Sequence, residues 1–245
     1  MRKRQRYDRT IGKGAGFGAG DPRVPDRRRA IAALIEGLML GGFAMQYART
    51  SRPASGAEHQ FSHLWDMEHH TCGGAAPSHG FKVGIATRLI AALYERALAE
   101  PFDRLDVKAA CAAWPAWPDA EALACSLFAG TDFPDLGVRE TQAKYIPHEK
   151  LAVQLETLTR CWPDLRKRLA VQLFSADEVK RRLDAVGAPG EPEEIGISRA
   201  RLRDSVIRAQ HIRRRFTVLD LAVRTQRLTP WLDALFGAGG TWEIP

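Results

Sequence analysis

The chain has 245 residues, 45% of them apolar and 27% charged, with a net charge of +7. This composition suits one soluble globular domain with a small appendage and excludes collagen-like, mucin-like and wholly disordered chains. Four widely spaced cysteines, Cys72, Cys111, Cys125 and Cys161, form no CxxC pair, so neither a disulfide scaffold nor a cysteine zinc site is expected.

The charge is all at one end. Residues 1–29 carry ten Lys/Arg against three acids, and the remaining residues hold 26 basic and 26 acidic groups. The run 1–29 has almost no apolar periodicity and reads as a basic Gly/Arg-rich disordered arm. Its alternating glycines, Gly12 to Gly18, match neither GxGxxG nor GxxxxGK[ST] and follow no strand, so phosphate cradling is not expected. Nucleic acid is an unlikely partner except through this arm. The most apolar stretch, Ile31 to Met45, is shorter than a membrane span and carries Glu36. With no apolar leader near Met1, the sequence predicts no span, no secretory signal and a cytoplasmic location.

From Ala30 to the C-terminus the pattern predicts an all-α domain over 30–245. Ser55 and Glu58 fit a capping box. Ser78, after Pro77, fits an N-cap for a helix running to about Leu98. Ser175 opens a helix closed by Gly187, and Ser198 opens one with Leu202, Val206 and Ile207 on one face. Thr217 with Asp220, and Thr229 with Pro230, open the last two. Connections are expected at Pro101, Pro115, Pro118, Pro134, Pro147 and Pro163.

Five of the seven histidines fall between positions 59 and 79: His59, His63, His69, His70 and His79. His63 lies one helical turn beyond His59, on the same face. His79 falls in the first turn of the next helix, after a Gly-rich loop. Positive helix N-termini disfavour imidazolium, and a neutral ring has a lone pair for a metal. His59 and His79 are therefore candidate ligands of one cation; a hydrogen-bonded or surface histidine pair is the plainer alternative. The segment lacks the glutamate of HExxH, so zinc-protease chemistry is not expected. Asp66 and Glu68 read as helix surface, and Lys82 as a solvated helix lysine.

The strings Glu36-Gly-Leu-Met-Leu-Gly-Gly-Phe-Ala-Met-Gln46, Ser51-Arg-Pro-Ala-Ser-Gly-Ala-Glu-His59, Pro77-Ser-His-Gly-Phe-Lys-Val-Gly84 and Arg215-Phe-Thr-Val-Leu-Asp-Leu221 resemble the sn-glycerol-1-phosphate dehydrogenase family. That family belongs to the metal-dependent alcohol dehydrogenase superfamily, with glycerol dehydrogenase and dehydroquinate synthase. The resemblance implies a multi-helical, dehydroquinate synthase-like domain with His59 and His79 as metal ligands. It implies His63 as the catalytic imidazole lining the cleft and Arg52 as a substrate-binding guanidinium; a turn-closing salt bridge is the equal alternative for Arg52. It further implies reversible, metal-assisted hydride transfer between glycerol 1-phosphate and dihydroxyacetone phosphate, in phospholipid biosynthesis. The cofactors implied are a divalent metal, zinc before iron or nickel, and NAD(P).

The family's N-terminal α/β nucleotide-binding domain and its metal-ligating aspartate have no match in this sequence. The expectation is thus a helical C-terminal half, from a truncated form or a fragment, with cofactor-binding residues unknown. Apolar Leu34, Leu38 and Met45 on the first helix would then be uncovered, which points to a homo-oligomer. The alternatives are a non-catalytic helical remnant or binding module, and a superfamily member with another substrate. Dehydroquinate synthase is disfavoured because it typically places Asn where this chain has Gly56.

Overall fold

The computed structural model describes residues 27–244, which form two compact units dividing at Gly56. The glycine run 12–18 and most of the basic stretch lie outside the described residues. The first unit holds helix α1 (Arg27–Ala48) and the short 3-10 turn Arg52–Ala54. Two expectations change here. Arg27, Arg28 and Arg29 are helical, so the arm does not extend to residue 29; arginine is a good helix former and runs directly into Ala30. The apolar stretch is also longer than 31–45. Alanines and glycines extend it without interrupting the helix, and Arg28–Ala48 is long and apolar enough, by length and composition, to cross a membrane.

The second unit contains helices α2 (Ala57–Met67), α3 (His79–Ala99), α4 (Val107–Ala112), α5 (Trp117–Phe128) and α6 (Pro134–Gln142). They are followed by α7 (His148–Gln172), α8 (Ala176–Ala185), α9 (Arg199–Gln210), α10 (Val218–Arg224) and α11 (Leu228–Phe236). Among the described residues there is no β-strand, only the isolated bridge between Cys72 and Ala75. The fold is all-α, as the sequence predicts.

Local chemistry sets most helix starts. The hydroxyls of Ser78, Ser175 and Ser198 accept from the amides of Phe81, Glu178 and Arg201. Thr217 and Asp220 form a reciprocal capping box. Each cap occupies a first-turn amide that the helix itself cannot satisfy. Two starts differ from expectation. Helix α2 begins at Ala57, which leaves Ser55 one residue outside the N-cap position. Helix α11 begins at Leu228, because the Trp231 amide donates to Arg227 O at 3.0 Å and draws Thr229 and Pro230 into the first turn.

Pro163 is the other departure: it lies inside α7 and not at a connection. An interior proline costs about 3 kcal/mol. Tertiary anchoring of the preceding residue outweighs that cost. Trp162 is 1% exposed, packs edge-on against Phe102 at 4.9 Å and donates its indole N–H to Glu100 O at 3.0 Å.

Helix α3 runs through the core and packs against α2, α8, α10 and α11. Its Ile85, Leu89 and Leu93, spaced four apart, are buried with Phe61, Leu64 and Trp65 of α2 and Leu202 and Val206 of α9. Each such side chain contributes about 1.5–3 kcal/mol of burial. The α2–α3 contact brings the two histidine-bearing helix starts into one unit.

Gly137 marks a tight approach of α6 to α5. A Cβ there would sit 2.3 Å from Cδ2 of the buried Phe128. Gly137→Ala is expected to lower stability by about 1–3 kcal/mol through overpacking of α5 on α6. Urea denaturation checks this; an unchanged midpoint would show that Phe128 has room to yield.

Candidate active site: three imidazoles at two helix starts

His59 and His63 stand one turn apart on α2, and His79 is the first residue of α3. Their ring centroids form a triangle: 5.2 Å between His59 and His79, 6.4 Å between His59 and His63, and 6.3 Å between His63 and His79. The loop between the helices makes this meeting possible. His69 takes positive φ and ends α2, and the left-handed Gly73 and Gly74 then turn the chain back toward Ser78.

The outer nitrogens of two rings are held. His59 Nδ1 donates to Glu58 Oε1 at 2.7 Å, and His79 Nδ1 lies 2.9 Å from the hydroxyl of fully buried Ser62. Their Nε2 atoms have no hydrogen-bond partner among the described residues. A partner on Nδ1 with Nε2 left free is how proteins orient a ligating imidazole. Two imidazoles bound through nitrogen to one tetrahedral cation, at about 2.0–2.1 Å each, have centroids about 5 Å apart. The His59–His79 separation of 5.2 Å fits that requirement, and the His63 separations are too long for a third such ligand. Among the described residues no group of three or more His, Cys, Asp or Glu side chains gathers to hold a metal.

His63 differs electrostatically. Burial is the largest effect lowering its pKa below 6.5, followed by the positive charge of Arg213 and the two neighbouring imidazoles; Asp66 opposes them. The ring is therefore neutral at pH 7. By NMR, His63 is expected to titrate below 6.5, and Arg213→Ala is expected to move the midpoint upward. A midpoint that stays put in the variant would show that Arg213 does not act on this ring.

Several residues do not stand where the sequence suggests. His69 is exposed, 3.0 Å from Asp132. His70 is buried and structural. Arg201 can only donate, so His70 Nδ1 accepts from it at 2.7 Å and His70 Nε2–H donates to Ile195 O at 2.7 Å. Lys82 is not solvated: it is 3% exposed and ion-paired with Asp66. Glu68 is not plain helix surface either, because it is largely buried and binds both Arg201 and Arg208. Arg52 stands on the exposed 3-10 turn of the first unit. Glu58, read as a capping group, also holds His59. Arg213 was not singled out from the sequence. It lies 150 residues from His63, with no local motif to connect them.

No family model matches the chain, and no solved structure matches it. Curated proteins do. It is 51% identical over 67 residues to the glycerol-1-phosphate dehydrogenase of Halalkalibacterium halodurans, covering 27% of this chain and 17% of that protein. It is 25% identical over 192 residues to the Geobacillus thermodenitrificans enzyme and 27% identical over 192 residues to that of Geobacillus stearothermophilus. Each of these longer matches covers 78% of this chain and 38% of the relative. The fold of the described residues is all-α, and the similarity is to part of the length of curated glycerol-1-phosphate dehydrogenases. The chain spans at most about 38% of the length of these three relatives.

Proposed function

We propose that the chain is the metal-holding helical part of a glycerol-1-phosphate dehydrogenase, interconverting glycerol 1-phosphate and dihydroxyacetone phosphate with NAD(P). The supporting observation is the 5.2 Å approach of His59 and His79, each with Nδ1 engaged and Nε2 free. Those two nitrogens would hold a divalent cation, zinc before iron or nickel, with further ligands from outside the described cluster. When bound, such a cation supplies Lewis-acid polarisation of a carbonyl oxygen.

The chain's own residues have separate tasks. As neutral imidazole His63 takes the hydroxyl proton when the alcohol is oxidised; in the reverse direction its minor imidazolium form, protonated from solvent, returns that proton to the C2 oxygen. Its lowered pKa keeps the base form populated at neutral pH. Arg52, by family resemblance, contacts substrate, and the exposed Arg213 adds positive potential beside His63 that suits a phosphate. The four cysteines are free, which accords with a reducing, cytoplasmic setting.

Calorimetry on the zinc-loaded chain tests the substrate. Dihydroxyacetone phosphate is expected to bind more tightly than glycerol, and His63→Ala is expected to weaken it without releasing zinc. Equal binding of dihydroxyacetone phosphate and glycerol would overturn the phosphorylated-polyol assignment.

A further inference from the structure

A cavity of about 230 Å³ lies in the second unit, and none of His59, His63 or His79 lines it. Its apolar walls include Trp114, Leu123, Ile207 and Val223, and its polar groups include Lys144 and His211. Roughly 150 Å³ of apolar cavity already takes a benzene ring, so this space is large enough for one ring with a substituent.

The polar groups leave a defined deficit. Asp220 is the one carboxylate in the lining, and it is saturated. Its Oδ1 accepts from Lys144 Nζ at 2.7 Å and Gln210 Nε2 at 3.0 Å, and its Oδ2 accepts from the amide and hydroxyl of Thr217 at 2.8 and 3.2 Å. Lys144 donates also to Gln210 O, which leaves its third N–H without a partner among the described residues. Arg224 is committed to Gln154 Oε1 and Lys144 O, yet its charge remains in the wall. His211 is 8% exposed and uses Nδ1 on the Thr141 hydroxyl at 2.7 Å; its Nε2 has no partner among the described residues. Burial first, and then Lys144, push the His211 pKa down to about 4, so the ring is neutral at pH 7. The lining thus holds two cations, one fully occupied anion and a neutral imidazole. Asp220 is the counter-ion of Lys144, so the charge of Arg224, bound only to neutral acceptors, leaves the wall net positive. A buried net positive charge is costly, and an anion brought in beside it relieves that cost.

We propose that this cavity is a second binding site, for a small organic monoanion: a carboxylate carried on an apolar, ring-sized body. The ring fills the space between Trp114, Ile207 and Val223, and the carboxylate takes the free N–H of Lys144 and the imidazole edge of His211. The inference rests on no part of the dehydrogenase reading, because the two sites share no residue.

Benzoate is the probe, titrated calorimetrically into the full chain at neutral pH. Saturable single-site binding is expected, about tenfold or more tighter than that of benzyl alcohol, which lacks the charge, and of acetate, which lacks the ring. Leu123→Trp places a bulky ring at the cavity from a position 49% exposed, where the fold tolerates it. It is expected to weaken benzoate about tenfold or more with unchanged helical circular dichroism. Benzyl alcohol binding as tightly as benzoate would overturn the charge argument, and acetate doing so would overturn the cavity. Full benzoate affinity in the folded Leu123→Trp variant would place the site elsewhere and overturn the proposal. The wild-type comparison decides the matter even if that variant does not fold.

Discussion

Replacing either His59 or His79 with alanine is expected to weaken the chain's zinc affinity by about two to three orders of magnitude. Four-ligand zinc sites are worth about 10–16 kcal/mol, hence about 2.5–4 kcal/mol per ligand. Each 1.36 kcal/mol is a factor of about ten. The ring centroids stand 5.2 Å apart, and both rings have Nδ1 held, by Glu58 and by Ser62, with Nε2 unpartnered among the described residues. His63→Ala is the internal control. It lies 6.3–6.4 Å from both partners and is expected to leave zinc affinity within about threefold. Competition against a chromophoric chelator reads all three variants. Equal losses at all three positions would reduce the cluster to nonspecific imidazole binding, and no loss at any would remove the cation site.

The second large effect is expected at Asp220. Asp220→Ala is predicted to cost about 3–5 kcal/mol, because it leaves the largely buried ammonium of Lys144 without its counter-charge. It also removes the capping box that starts α10, and it orphans the side-chain amide of Gln210. Burial already lowers the Lys144 pKa, and Asp220 works against that shift. The double variant Asp220→Ala with Lys144→Met is expected to recover part of the loss, since it removes the stranded charge as well. Urea denaturation measures both. A single-variant loss below about 1 kcal/mol would mean that water or a neighbouring group takes the place of the carboxylate.

Four helix starts were legible in the sequence, at Ser78, Ser175, Ser198 and Thr217, because each cap bond spans only two or three residues and its chemistry is written locally. The His59–His63 pairing was legible for the same reason, being one turn of one helix. The meeting of His59 with His79 was legible as one possibility, from their places at consecutive helix starts, and the family resemblance pointed the same way. Periodicity places each on a helix but does not say that α2 and α3 pack with their starts together. Tertiary structure alone decided the rest. Glu68 found its arginines 133 and 140 positions away. Arg213 was brought beside His63, and Pro163 stayed inside a helix because Trp162 is anchored in the core. Caps and helical faces are set by bonds a few residues long. Ion pairs between distant segments, and the cavity beside Lys144, exist only once the helices have closed on one another.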